Sequence, residues 1–162
     1  MIRLEDQLDR SVDRSGKVAL GNTALMLEPL ARQDLSELSQ NAGIGTYYVT
    51  TIIEQQLSVL FCIHKYRVMH RDIKTQNICI LDWPPTESLL IDFGLAHLGS
   101  VAADRRVGTR GWRAPELLEA DMNPQEKIYY TAKVDVFALG IVFYTLLFGE
   151  FDLLQVTYED NG

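Results

Sequence analysis

His70-Arg71-Asp72-Ile73-Lys74-Thr75-Gln76-Asn77 is the stretch on which the reading of this chain turns. It sets a carboxylate at Asp72, an ammonium two positions on at Lys74 and a carboxamide five positions on at Asn77. It closes a segment of helical periodicity and precedes a short apolar run, Ile78 to Leu81. Acid, cation and amide at this spacing suit phosphoryl transfer from a metal-bound nucleotide, where catalysis is mostly positioning and charge neutralisation.

Downstream of this stretch, Ser88 to Ile91 reads as a second short strand, joined to the first through Trp83-Pro84-Pro85-Thr86. Asp92-Phe93-Gly94 follows it directly, fifteen residues past Asn77. A carboxylate that ends a buried strand before a hinge-like glycine suits a divalent-metal ligand on a movable loop. Taken alone, an Asp-x-Gly turn is the plainer reading. Residues 92 to 116 are polar and irregular, too long to be idle in a compact domain. Thr131 to Phe148 then predicts a helix apolar almost all round, hence central, with Gly149 as its stop.

Upstream, Val49, Ile52, Ile53, Leu57, Leu60 and Phe61 recur at helical spacing. They predict a helix from Thr46, its expected cap, to about Tyr66 with one stripe facing a core. Asp34-Leu35-Ser36-Glu37 opens a shorter helix with the pattern of a capping box. Lys17 to Leu20 and Ala24 to Leu27, split by Gly21-Asn22-Thr23, predict a β-hairpin that Pro29 ends. Residues 1 to 15 are charged and weakly periodic.

The totals fit a single domain. The 162 residues are 47% apolar and 23% charged, enough for a real core. A net charge of −7 disfavours non-specific binding to nucleic acid or anionic membranes. Cys62 and Cys79 form no CxxC pair and lie in no His cluster, so reduced, buried thiols are expected. The most apolar uncharged run, Val136 to Gly149, has fourteen residues, short of the roughly 18–20 of a membrane span. The start is too acidic for a signal peptide. These features point to a cytoplasmic or nuclear protein.

Four motifs in a fixed order carry a resemblance. His70–Asn77, Asp92-Phe93-Gly94, Gly108-Thr109 with Ala114-Pro115-Glu116, and Lys133-Val134-Asp135-Val136-Phe137-Ala138-Leu139-Gly140 together resemble the eukaryotic-type protein kinases of serine/threonine type. The resemblance implies an α+β, protein-kinase-like fold: a mainly helical C-lobe with short β-hairpins, truncated at both ends. It assigns 1–16 to a poorly defined segment and 17–162 to a partial kinase domain. ATP, two Mg2+ ions and a protein substrate with a Ser or Thr acceptor follow as implied cofactors and partners. A regulatory protein is a further candidate partner.

The resemblance also implies roles. Asp72 would orient or accept the proton of the substrate hydroxyl, with capping of the next turn as the plainer alternative. Lys74 would neutralise the transferring phosphoryl group; a lysine there, in place of the Ala-Ala-Arg of tyrosine-specific relatives, implies serine/threonine substrates. Asn77 and Asp92 would share the metal ions, and Thr109 would link its segment to Asp72 and Lys74. His70 and Phe93, followed by the hinge glycine Gly94, are implied to be structural, stacked in a column coupling the metal loop to the central helix. Glu116 and Asp135 resemble scaffold carboxylates, Asp135 bonding the catalytic-loop backbone.

Arg71 would anchor a phosphorylated residue or pair with a nearby carboxylate. Ser100 has the only hydroxyl between Gly94 and Gly108, and Asp104 is the alternative, constitutive anion. For the nucleotide, Leu27 would be the gatekeeper, with Glu28, Pro29 and Leu30 as the hinge. Asp34 would contact ribose or simply cap a helix, and Cys79 would floor the adenine or simply pack.

The 162 residues contain no Gly-x-Gly-x-x-Gly loop and no Val-Ala-Ile-Lys strand, and Glu5 is poorly spaced for the partner of such a lysine. Two readings therefore compete: a truncated kinase, or a catalytically incompetent kinase-like interaction module. The chain alone is expected to bind Mg-ATP poorly. Gly108–Glu116 resembles kinases of replication initiation. The insert Glu119 to Lys127 with the helix after it resembles stress-sensor kinases of the unfolded protein response. The two hints name different subfamilies.

Overall fold

A computed structural model describes residues 33–41, 45–123 and 125–149. The predicted early hairpin, the expected gatekeeper Leu27 and the expected hinge Glu28, Pro29 and Leu30 lie outside the described residues. Strand β1 (Gln33–Asp34) runs straight into helix α1 (Leu35–Asn41). Asp34 Oδ1 accepts from the Ser36 and Glu37 amides at 2.8 and 3.2 Å and from the Ser36 hydroxyl at 2.5 Å. The acid thus satisfies first-turn donors that a helix leaves unpaired.

Helix α2 (Thr46–Lys65) buries Val49, Ile52, Gln56 and Leu60 on one stripe. Leu57 and Phe61, counted in that stripe from their spacing, are instead 48% and 75% exposed. Each follows a buried residue by one position, which turns it about 100° away from the core. Thr46 does not cap the helix: Gly45 holds the cap position without a side-chain bond. Thr46 is already inside the first turn, past the place from which a hydroxyl reaches back to free amides.

After α2 the chain makes β2 (Val68–Met69), a 3₁₀ turn at Thr75–Asn77, β3 (Ile78–Ile80) and β4 (Ser88–Leu90). β3 lies between β1 and β4, antiparallel to both, with Asp34 opposite Cys79 and Ile78 opposite Leu90. All three β3 residues are buried, as befits a central strand. The stretch expected to be irregular is partly ordered. β5 (His97–Leu98) pairs with β2, Ala102 bridges Tyr130, and Pro115–Met122 forms helix α3. Pro115 suits the first helical position, where its missing N–H costs nothing.

Helix α4 (Lys133–Phe148) ends at Gly149, whose φ of 93° glycine adopts without strain. It packs Ala138, Leu139, Val142 and Leu146 into a core with Leu35, Ile52, Ile73 and Ile78. A second cluster gathers Met69, Ala102, Ala114, Leu117, Tyr130 and Val134. The expectation of an entirely enclosed α4 is corrected: Val136, Tyr144 and Phe148 are 51%, 42% and 72% exposed along one i, i+4 stripe. Cys79 is buried, but Cys62 lies on the exposed side of α2, so only one thiol is in the core.

Ile52 is fully buried in the principal core. Ile52→Ala should lower unfolding free energy by about 2–5 kcal/mol in urea titrations, through lost transfer energy plus the cavity left. Phe61→Ala, on the exposed side of the same helix, should change it by less than about 0.5 kcal/mol.

Candidate active site

The site begins from a backbone held in place by a carboxylate. Asp135, in the first turn of α4 and 1% exposed, accepts from the His70 amide through Oδ2 at 2.9 Å and from the Arg71 amide through Oδ1 at 2.7 Å. His64 Nε2 also meets Oδ2, at 2.8 Å. The fully buried His70 ring accepts from the Asp72 amide at Nδ1, 3.3 Å. Its proton therefore sits at Nε2 and is donated to Ile91 O at 3.0 Å. Phe93 packs edge-on against the same ring, centroids 4.7 Å apart. His70 and Phe93 thus connect the Asp72 loop to the strand end that carries Asp92.

Asp72 faces four donors. Its Oδ1 accepts from the Thr109 amide and hydroxyl at 2.9 and 2.7 Å, its Oδ2 from Lys74 Nζ at 2.9 Å and Asn77 Nδ2 at 3.2 Å. The Thr109 hydroxyl accepts in turn from Lys74 Nζ at 2.8 Å, closing a triangle of acid, ammonium and hydroxyl. Asn77 Nδ2 also donates to Asp72 O at 2.8 Å, which fixes the loop's own backbone. Burial would raise the Asp72 pKa, but the bonds from Lys74 and Thr109 outweigh it and hold the acid below its ordinary value. A carboxylate so held is ionised at neutral pH.

Gly108 makes the approach of Thr109 possible. Its φ is 83°, and a Cβ there would lie 2.6 Å from Arg71 O. No other residue fits without displacing the loop.

The Arg71 side chain stitches three segments together. Its Nε donates to Leu95 O at 2.6 Å, and its Nη1 donates to Asp104 Oδ2 at 2.6 Å and to the Tyr130 hydroxyl at 3.0 Å. Arg71 holds the exposed Asp104 carboxyl below its usual range. Ser100 is exposed and stands elsewhere, at a cavity lined by His64, Arg67 and Lys133.

The residues expected to hold metal sit on adjacent rungs of one ladder, since the Ile91 amide donates to Asn77 O at 2.9 Å. With Asn77 Nδ2 committed to Asp72, its Oδ1 is the atom left for a cation. Asp92 is exposed at φ 60°, and its Oδ1 accepts from the Gly94 amide at 3.2 Å. No group of three or more His, Cys, Asp or Glu side chains suited to a metal occurs among the described residues. One amide oxygen and one carboxylate fit Mg2+, which takes few protein ligands and completes its shell with phosphate and water.

Of the remaining candidates, Cys79 pairs with Asp34 across β1 and β3. Burial, with Asp34 and Glu37 adding to it, pushes the Cys79 thiol up, which disfavours the thiolate a nucleophile needs. Glu116 is exposed in the first turn of α3, with no ion-pair partner among the described residues.

The family model for the protein kinase domain matches residues 17–160. The chain belongs to the protein kinase family. It is 37% identical over 153 residues to the serine/threonine-protein kinase KSP1 of Saccharomyces cerevisiae, spanning 91% of this chain and 15% of that protein. It is 35% identical over 128 residues to the serine/threonine-protein kinase KIC1 of the same yeast, spanning 77% of this chain and 11% of that protein. Cyclin-dependent kinase-like 4 of Mus musculus is 37% identical over 120 residues, 72% of this chain and 32% of that protein. The chain thus spans a third or less of the length of these relatives. Kinases of this family use ATP and Mg2+ and act on proteins.

Some contacts of the kinase site had no clear mark in the sequence. His64 looked like one more position in the last turn of α2, yet it meets Asp135. Tyr130 lies between the end of the insert at Lys127 and the central helix, and its hydroxyl accepts from Arg71. Helical spacing could have flagged His64, four residues past the buried Leu60; nothing marks Tyr130.

Because folding lowers the Asp72 pKa, its contribution to stability is complete above its ordinary value of 3.8 and is lost as pH falls through the lower, folded value. Urea unfolding of the chain and of Asp72→Asn, from about pH 6 to about pH 2, should show an advantage for Asp72 that shrinks with acid. An advantage independent of pH would exclude this ionic origin.

Proposed function

We propose that the site transfers the γ-phosphoryl group of ATP to serine and threonine hydroxyls of protein substrates. The observation that carries this is the ionised Asp72 carboxylate between Lys74 Nζ and Thr109. In the proposed mechanism Asp72 orients the acceptor hydroxyl and takes its proton, while Lys74 stabilises negative charge developing on the transferred group. Asn77 Oδ1 and the Asp92 carboxylate would hold Mg2+, which would supply positive charge to neutralise the nucleotide phosphates. Cys79 would floor the adenine, with Leu27 as gatekeeper and Glu28, Pro29 and Leu30 as hinge. Asp34 uses Oδ1 to cap α1, so only its other oxygen is open to ribose. The serine/threonine preference rests on Lys74 and on the printed names of the relatives.

A second reading is a kinase-like interaction module, over which the retention of Asp72, Lys74, Asn77 and Asp92 together favours transfer. Single-turnover assays with labelled ATP, Mg2+ and a Ser/Thr peptide pool separate the two. The kinase reading expects slow transfer by the chain that falls about 10²-fold or more with Asp72→Asn. Absence of transfer, with a protein partner bound equally by the chain and by Asp72→Asn and Asp92→Asn, would establish the module instead.

Regulation follows from Arg71. The proposed anion for Arg71 is the resident Asp104, supported by their 2.6 Å contact and by Ser100 lining a different cavity. Asp104→Asn should speed tryptic cleavage after Arg105 or Arg106 by roughly two- to fivefold, a mark of a loosened segment. Ser100→Ala should leave both cleavage and transfer unchanged; loss of transfer would return regulation to Ser100.

A further inference from the structure

Where β2 and the start of α4 meet the Gly99–Ser100 turn, a cavity of about 260 Å³ is lined by none of Asp72, Lys74, Asn77 or Asp92. Its apolar walls include Val68, Met69 and Val136, and its polar rim is formed by His64 and the cations Arg67 and Lys133. Neither Arg67 nor Lys133 has an ion-pair partner among the described residues. The carboxylate nearest in sequence, Asp135, is turned inward and occupied by His64 and the His70 and Arg71 amides. The rim is therefore cationic in a chain whose net charge is −7.

Both cations sit where local structure disfavours them. Arg67 has φ 59°, directly after the C-terminal cap of α2, where glycine is unstrained and arginine is not. Lys133 is the first residue of α4, where the positive end of the helix dipole repels an ammonium. The surface beside the cavity is apolar: Tyr66, Leu98, Val101 and Val136 are 68%, 79%, 51% and 51% exposed. Uncommitted positive charge framed by exposed apolar side chains is complementary to carboxylates alternating with apolar residues.

We propose that this cavity docks an acidic peptide segment of a protein partner, a carboxylate side chain meeting Arg67 and Lys133 and a neighbouring apolar side chain entering between Val68, Met69 and Val136. The apolar frame selects a short acidic–apolar peptide over a nucleic acid, whose many phosphates the net charge of −7 repels more strongly than it does two carboxylates. Docking there does not use Asp72, Lys74 or nucleotide, so it holds under either functional reading.

The test is fluorescence anisotropy of the full chain with a labelled peptide of core Leu-Asp-Leu-Glu, against the same peptide with Leu-Asn-Leu-Gln. The acidic peptide should bind about tenfold more tightly, and Lys133→Glu should remove about that factor. Arg67→Gly is the decisive variant. Relief of the left-handed strain should raise its urea midpoint while peptide affinity falls about tenfold. Lys127→Glu, on an exposed turn away from the cavity, should bind as the unaltered chain does. Equal affinity for the two peptides, undiminished affinity in Arg67→Gly, or no binding of the acidic peptide would overturn the proposal. Displacement by inorganic phosphate at the peptide's own concentration would overturn it in favour of a bare anion site.

Discussion

The carboxylate of Asp135 is the constraint from which the site is built. Its two oxygens meet two backbone amides and an imidazole in a setting where water is excluded. A hydrogen bond to a charged group contributes roughly 1.5–3 kcal/mol, and an orphaned buried amide costs about as much. Removing the acid would therefore lose its bonds and also strand the His70 and Arg71 donors. Because Asp135 belongs to α4, whose next turns fill the main core, the position of the His70–Asn77 loop is inherited from hydrophobic packing. The polar network sets direction; the apolar core sets place.

That anchoring supports local strain. Arg71 and Asp92 both have left-handed backbones, at φ 69° and 60°, a conformation that costs side-chain-bearing residues on the order of 1–3 kcal/mol. At Arg71 the cost is offset by the amide bond to Asp135 and by three side-chain bonds. At Asp92 the preceding residue is fixed from two sides, its amide on Asn77 O and its carbonyl on His70. One ring, His70, thus transmits the position of α4 to the loop carrying the metal-ligand candidate.

The sequence reveals best whatever depends on short-range spacing. The β3–β4 pair, the long α2, the stop at Gly149 and the capping by Asp34 all follow from local patterning that tertiary contacts then respect. Helix exposure was less legible. Leu57, Phe61, Tyr144 and Phe148 are as apolar as their buried neighbours, so composition alone does not tell which arc of a helix meets the core. Thr46 was misplaced by one residue, enough to move a hydroxyl from cap to first turn. Within the site, motif spacing identified Asp72, Lys74, Asn77 and Thr109 as a set. The roles of His64 and Tyr130 depend on contacts 71 and 59 residues away, which no local pattern encodes.

The relative strength of two contacts decides how the segment after Asp92 is held to the catalytic loop. Arg71–Asp104 is short, but Asp104 is more than half exposed, so solvent screening leaves such a pair little net stabilisation. Asp72–Thr109 is shielded, doubly bonded and backed by Lys74, and it closes only because Gly108 lets the chain pass Arg71 O. The segment is therefore fastened at Thr109 and merely aligned at Asp104. The acid proposed to serve the acceptor hydroxyl is the same one that fastens it. Any event that detaches Thr109 also removes two hydrogen bonds from Asp72, leaving its charge to Lys74 and Asn77. Order in the segment and the hydrogen bonding of the Asp72 carboxylate are thus a single variable.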